Sequence, residues 1–266
     1  MLKLYHGITS VCSIKVRIGL AEIGLDYEDA VVDLQKGEQH DPDYVRLNPD
    51  HVVPTLVDGN RVLVESSLIL EYLDKQYNAS ALMPSEPADE MRARHWLLRC
   101  LAVHAAINSL TFSTAQRGAI LGAKTPEEID GMLAAIPDPV ARRKRADLLK
   151  NGLQSDHVQQ ALMHLKRTFV DMDRALASGS WIGGAAFGIS DIALVPYVDR
   201  LERLGFEGLW QDRLPSIGVW LGAMQERASY KTEVVDRIPE ALALKQRTSG
   251  ERYWPELEQY WLDILD

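Results

Sequence analysis

The chain has 266 residues, of which 46% are hydrophobic, so it is long enough to bury one large core or two moderate ones. Its net charge of −9 argues against nucleic acid or an anionic membrane as a partner. Two cysteines, Cys12 and Cys100, provide neither a disulfide framework nor zinc-site spacing, so we predict no metal. The N-terminus lacks the apolar run of a signal peptide, and no stretch of about 18 apolar residues is present. We therefore expect a reduced, soluble, cytoplasmic protein.

Short strand patterns alternate with amphipathic helices through the first 80 residues. The pattern predicts a strand over 2–5, a helix over 13–24, a strand over 27–34, a short helix over 42–47, strands over 54–57 and 61–64, and a helix over 66–77. Gly24 stands just after the last turn of the first helix, where glycine commonly ends helices. Asp58-Gly59-Asn60 is a strong hairpin turn signal. The predicted order is therefore βαβ, helix, ββα.

Beyond residue 80 the pattern becomes helical. Residues 81–88 contain two prolines and indicate a linker, so we predict domains at 1–80 and 89–266. Helices are predicted over 89–120, 157–176, 191–204, 215–227 and 234–244. We expect 124–152 to be an irregular, charged insertion. The aromatic tail over 253–261 leaves two alternatives, a lid over a substrate or packing on the outside of the second domain.

Two features of the first domain indicate a site for a peptide with an anionic end. Val53-Pro54 begins a predicted strand. Proline has no backbone N–H to donate to the sheet, and a cis bond before proline costs little free energy. Glu65-Ser66-Ser67 begins an apolar helix, and a helix N-terminus with a hydroxyl is suited to an anion. This combination fits glutathione.

The ordered motifs resemble those of the cytosolic glutathione transferases over essentially the whole chain. The motifs are Thr9–Arg17, Gly37–His40, Asn48–Pro54, Glu65–Ser67 and Gly188–Asp191. The resemblance implies an α/β thioredoxin-like N-terminal domain followed by an all-α C-terminal domain. It also implies glutathione as cosubstrate and a homodimer. The insertion is similar to one in bacterial β-etherases.

The resemblance also implies which residues contact glutathione. Val53, before a cis Pro54, would pair through its backbone with the cysteinyl part, next to Val52. Glu65 and Ser66 would hold the γ-glutamyl end. His51 would donate to the glycine carboxylate of glutathione. The second donor would be either Gln39, which occupies the position used in the family, or His40, which lies one residue further along the chain.

Three residues compete to activate the glutathione thiol at the start of the first helix. A helix N-terminus and nearby donors lower a thiol pKa. The Ser-x-Cys-Ser pattern of zeta-like isomerases and of the related dehalogenase points to Ser10, with Cys12 as a redox-capable thiol. The β-etherases point instead to Ser13. We favour Ser10 and keep Ser13 as the alternative.

The last motif is structural. The family has Ser or Thr three residues before an aspartate at the start of a central helix, which forms a capping box. Here Gly188 replaces the hydroxyl residue. We expect Asp191 to accept from a backbone N–H near Gly188 and to act in folding.

The sequence therefore predicts a glutathione transferase that conjugates glutathione to a hydrophobic, probably aromatic, electrophile in detoxification. Glutathione-dependent β-ether cleavage, reductive dehalogenation and cis-trans isomerisation stay open as specialised alternatives. A non-catalytic glutathione-binding protein of the same fold is a further alternative.

Overall fold

The computed structural model describes residues 1–265. The strands are β1 Leu2–His6, β2 Tyr27–Val31, β3 Thr55–Asp58 and β4 Arg61–Leu63. The helices are α1 Val11–Ile23, α2 Pro42–Val45, α3 Ser66–Tyr77, α4 Pro87–Ser113, α5 Ala115–Ala123, α6 Pro126–Ala134, α7 Pro139–Asn151, α8 Asp156–Ala177, α9 Ile189–Arg203, α10 Ser216–Gln225, α11 Ala228–Tyr230, α12 Glu240–Glu251 and α13 Trp254–Leu265. A π-helical segment, Lys231–Val235, follows α11.

The chain forms two compact units, and four of the five boundaries between them fall inside helices. The first unit consists of Met1–Cys100, Arg174–Pro196 and Val219–Pro239. The second consists of Leu101–Asp173, Tyr197–Gly218 and Glu240–Asp266. The domain limits inferred from the sequence, 1–80 and 89–266, remain a prediction.

The first unit is built on a four-stranded mixed sheet in the order β2-β1-β3-β4. Strand β1 is parallel to β2 and antiparallel to β3, with Leu4 opposite Leu56. Helices α1 and α3 pack with the sheet around one apolar cluster. Its buried members are Leu2, Leu4, Val16, Leu20, Leu56, Ile69 and Leu73. The core thus holds the start of α1 and the start of α3 on a rigid scaffold.

Helix α1 begins and ends where the sequence provides caps. Ser10 is the N-cap, and its hydroxyl accepts a hydrogen bond from the backbone N–H of Ser13. Gly24 follows the last turn with a φ of 74°, in the left-handed region that favours glycine. The predicted start at residue 13 was late by two residues, because the capping role of Ser10 was not used to place it.

The insertion over 124–152 is helical, so the expectation of an irregular segment was wrong. Thr125 and Glu128 form a reciprocal capping box that begins α6, with Pro126 in the first turn. Asp138 caps α7, with Pro139 in the first turn. The prolines suggested breaks, yet proline at the first helical position has no N–H to lose and a suitable φ.

The aromatic tail packs within the second unit. Leu257 and Trp261 of α13 are buried, and the ring of Trp254 lies 6.3 Å from that of Phe206. Gln154 donates to the Tyr260 hydroxyl at 2.7 Å. These contacts correspond to the second of the two alternatives for the tail. Among residues 1–265, no helix is long and apolar enough to cross a membrane.

Candidate functional site

The start of α1 holds the three candidates for thiol activation, with Ser10 at the N-cap and Cys12 and Ser13 in the first turn. Ser10 and Cys12 are half-buried, whereas Ser13 is fully buried. The Ser13 hydroxyl accepts from the backbone N–H of Gly7 at 3.2 Å, and Cys12 is in no disulfide. Ser10 therefore keeps an accessible hydroxyl at the N-terminus of α1, while the oxygen of Ser13 is engaged inside the fold.

The Val53–Pro54 peptide bond is cis and directly precedes β3. Tyr44 and Asn48 hold the turn before it, because the Tyr44 hydroxyl and the Asn48 amide both donate to the Val52 carbonyl, at 2.5 and 2.9 Å. Within the described chain, the backbone of Val53 forms no hydrogen bond with protein. Val53 thus presents an unpaired backbone edge that suits a short ladder with a peptide.

Glu65 and Ser66 lie at the N-terminus of α3. Glu65 is exposed, has a φ of 67° and makes no capping bond with its side chain. Ser66 is buried and begins the helix. No acidic residue occupies the first turn of α3, so its free N–H groups and its dipole are available to a carboxylate.

Gln39, His40 and His51 form one polar chain. The Gln39 amide lies 3.0 Å from Nε2 of His40, and the two Nδ1 atoms of His40 and His51 are 2.8 Å apart. With the amide donating, we assign the proton of His40 to Nδ1, which then donates to His51. This assignment leaves the Nε2–H of His51 as a donor for a ligand. Burial, followed by the charge of His51, lowers the pKa of His40 and favours its neutral form.

Asp191 is buried and accepts three hydrogen bonds. Its Oδ2 accepts from the backbone N–H of Gly188 at 3.0 Å, the contact expected from the sequence. Its Oδ1 accepts from Ile182 N at 2.9 Å and from Trp220 Nε1 at 2.8 Å, which the sequence pattern did not reveal. A Cβ atom on Gly188 would lie 2.8 Å from the Leu82 carbonyl oxygen, which explains why glycine replaces the hydroxyl residue.

Residues 1–265 contain no cluster of three or more His, Cys, Asp or Glu side chains that could hold a metal ion.

A thioredoxin-like sheet with an open edge at a cis proline, followed by helices, defines the class of fold. Residues 1–75 match the family model of the glutathione S-transferase N-terminal domain, and 155–223 match that of the glutathione S-transferase C-terminal domain. Glutathione S-transferase GstB of Escherichia coli strain K12 is 30% identical over 239 residues, covering 88% of this chain and 98% of that protein. The chain belongs to the glutathione S-transferase family, which confirms the predicted fold and the predicted class of enzyme.

Two further relatives illustrate the range of the family. The tetrachloro-p-hydroquinone reductive dehalogenase of Sphingobium chlorophenolicum is 28% identical over 237 residues, covering 87% of this chain and 94% of that protein. The crystal structure of the β-etherase LigF from Sphingobium sp. strain SYK-6 matches with a TM-score of 0.76 at 23% identity, covering 88% of this chain and 99% of that one. At this identity, the similarity to the β-etherase structure shows a shared fold only.

The sequence analysis did not identify the residues whose hydrogen bonds hold the candidate site in place. Tyr44 and Asn48 fix the turn before Val53, and buried Lys15 donates to the Ser67 hydroxyl at 3.0 Å. A tyrosine and an asparagine just before the Val-Pro pair were a usable signal, because both types have donors that close turns.

Proposed function

We propose that this enzyme is a serine-type glutathione transferase in which Ser10 stabilises the glutathione thiolate. The observation that carries the proposal is the contrast between an accessible Ser10 hydroxyl at the N-cap of α1 and a buried Ser13 hydroxyl. The Ser10 O–H would donate to the sulfur anion, and the positive end of the α1 dipole would favour the same charge.

In the proposed reaction the thiol loses its proton to solvent on binding, and the sulfur lone pair attacks an electrophilic aromatic carbon. The leaving group departs with its bonding electrons, so conjugation needs no added oxidant or reductant. The backbone of Val53 would pair with the cysteinyl part, and Ser66 at α3 would hold the γ-glutamyl carboxylate. Catalysis then rests on thiol ionisation and positioning.

The direct test is glutathione binding measured by calorimetry, with His51→Ala as the diagnostic variant. We propose that His51 Nε2–H donates to the glycine carboxylate, so its loss should weaken binding about tenfold, or about 1.4 kcal/mol. The KM for glutathione should rise while kcat stays within about twofold, because the contact is equal in ground and transition states.

His157→Ala is the matched control, since His157 is a half-buried histidine on α8 outside the proposed site. It should bind glutathione like the wild type. Absence of glutathione binding by the wild-type protein would refute the proposed function. Binding without turnover of any electrophile would instead support the non-catalytic alternative.

Reductive dehalogenation is the second candidate, favoured by Cys12 in the first turn of α1 and by the dehalogenase relative. In that reaction carbon–halogen becomes carbon–hydrogen and the halogen leaves as halide with a proton, while two glutathione thiols are oxidised to a disulfide through a mixed disulfide on Cys12. The β-etherase alternative rests on the similar insertion and on the fold of the β-etherase structure, and the isomerase alternative rests on the Ser-x-Cys-Ser pattern and on the isomerase relative.

Cys12→Ser separates the two chemistries. If the enzyme is reductive, the variant should lose reduction of a halogenated hydroquinone by at least about tenfold, because no mixed disulfide forms. If it conjugates, transfer to a model aryl halide should be unchanged within about twofold. Cys100→Ala, which removes the other thiol, should affect neither rate; a loss there equal to that of Cys12→Ser would contradict a specific role for Cys12.

A homodimer, a cytoplasmic location and a role in detoxification belong to the same proposal. Three apolar side chains of the first unit support association: Leu68, Met91 and Leu98 are 63%, 66% and 68% exposed. Met91 and Leu98 are two helical turns apart on α4 and therefore share a face. Sedimentation velocity at micromolar concentration, where a monomer would contradict the dimer, measures this directly.

A further inference from the structure

A cluster of charged side chains in the first unit surrounds the loop that leads to Ser10, and the proposed reaction leaves it without a role. We call it the Arg17 cluster; it consists of His6, Arg17, Asp29, Glu233 and Arg237. Arg17 is fully buried, although burying an isolated charge is costly. Such an arginine persists because its two NH2 groups find acceptors and its Nε, which makes no hydrogen bond within residues 1–265, lies 3.4 Å from the Glu233 carboxylate.

Arg17 directs those donors at the backbone of the loop. Its guanidinium donates to the carbonyls of Gly7 and Ile8, at 3.2 and 3.1 Å. The Gly7 carbonyl also accepts the backbone N–H of Ser10, at 3.2 Å. Arg17 and Ser10 therefore bind the same carbonyl oxygen, so a change in the position of Arg17 is passed to the proposed thiol-activating residue through one peptide group.

His6 holds the guanidinium from the other side, and its two ring nitrogens have different roles. Nδ1 lies 3.1 Å from NH1 of Arg17, which is always a donor, so Nδ1 must accept. Nε2 then carries the proton and donates to Asp29 at 2.5 Å. The arrangement requires a neutral imidazole, since a proton on Nδ1 would point at the N–H of Arg17. Burial, with the charges of Arg17 and Arg237 also contributing, lowers the pKa of His6.

The remaining members of the cluster complete the surroundings of His6 and Arg17. Asp29 on β2 accepts from Arg237 as well as from His6. Glu233, in the π-helical segment, accepts a hydrogen bond from Arg17 on its carbonyl at 2.8 Å, and its carboxylate lies 2.6 Å from Nε of Arg237. The groups that face His6 are thus Asp29, Arg17 and Arg237. The two cations oppose a positive charge on the ring, whereas the carboxylate of Asp29 favours it.

We propose that Arg17 is a positioning residue for the loop that presents Ser10, and that neutral His6 holds Arg17 in place, so that protonation of His6 adds a second ionisation to the acid limb of turnover that the bound thiol already produces. The inference rests on the proposed function, because it acts through Ser10. It assigns a role in the reaction to Glu233 and Arg237, which are far from the loop in sequence.

The first experiment compares His6→Gln and His6→Leu in a pH–rate profile of aryl halide conjugation. Gln keeps a donor for Asp29 and an acceptor for Arg17 but does not titrate, so kcat should stay within about threefold at neutral pH, and its fall in acid should become shallower because only the ionisation of the bound thiol is left. Leu removes the acceptor, so kcat should drop at least about tenfold at every pH with KM for glutathione within about threefold. An acid limb unchanged in His6→Gln would overturn the role of His6.

The second experiment measures ionisation of bound glutathione by the ultraviolet absorbance of its thiolate. Arg17→Lys cannot bind both carbonyls, so the thiol should ionise at higher pH than in the wild type, while binding of S-methylglutathione measured by calorimetry is kept. Arg227→Lys is the matched control, because Arg227 joins α1 through Glu22 without contacting the loop. It should leave thiol ionisation unchanged.

The outcomes separate this inference from the proposed function. A wild-type protein that fails to bind or conjugate glutathione overturns the proposed function. The wild type could instead be active while Arg17→Lys and both His6 variants match Arg227→Lys in activity and thiol ionisation. That result would overturn the positioning role and leave the proposed function intact. If Arg17→Lys or His6→Leu does not fold, as judged by circular dichroism, the pH profile of His6→Gln decides.

Discussion

Replacing Ser10 by Ala is expected to lower kcat/KM for conjugation at least about tenfold, which corresponds to about 1.4 kcal/mol of transition-state stabilisation. The hydroxyl is the accessible donor at the N-terminus of α1, where the sulfur anion is proposed to lie. Without it the bound thiol should ionise at higher pH, which thiolate absorbance measures. Binding of S-methylglutathione, which has no thiol to ionise, should change little.

Two variants control for the other roles of these serines. Ser10→Thr keeps both a hydroxyl and a good N-cap, so it should recover much of the activity. Ser13→Ala removes the acceptor of the Gly7 N–H, so it should cost about 1 to 3 kcal/mol of stability. Its folded fraction should still ionise bound thiol near the wild-type pH. Full activity in Ser10→Ala together with loss in Ser13→Ala would reverse the assignment.

Replacing Asp191 by Ala should destabilise the protein by about 3 to 5 kcal/mol, measured as the free energy of unfolding in urea. The carboxylate satisfies the N–H groups of Gly188, Ile182 and Trp220, and all three would be left buried without an acceptor. Asp212→Ala removes an exposed aspartate and should change stability by less than about 0.5 kcal/mol. A small effect at Asp191 would contradict its role in folding.

The stability contribution of Asp191 should also depend on pH. Burial raises the pKa of Asp191 to about 6 from 3.8, although its three N–H donors favour the charged form. Between those values the folded state binds more protons than the unfolded state, so this contribution is complete below about pH 4 and is lost as pH rises through about 6. Asp191→Asn does not titrate there. The wild type should therefore lose stability relative to Asp191→Asn between pH 4 and 7; a constant difference would contradict the raised pKa.

The sequence predicted well the features that depend on neighbours in the chain. Gly59-Asn60 forms the turn between β3 and β4, Gly24 ends α1, and Ser66 begins α3. Each signal arises from backbone freedom or capping within a few residues, so the local sequence is enough to reveal it. The same local reasoning failed over 124–152, because prolines at helix starts were taken for breaks.

The sequence by itself determined the thioredoxin-like order of elements, the helical remainder and the end of the site expected to hold the glutathione backbone. Those depend on a proline, a helix start and a turn, which are local. Only the tertiary structure decided that Ser13 is buried while Ser10 is accessible, since burial depends on packing. Likewise, Arg17 meets Glu233 across 216 residues, and no periodicity in the chain encodes that contact. Burying a guanidinium requires acceptors from distant segments, and the folded chain alone brings them together.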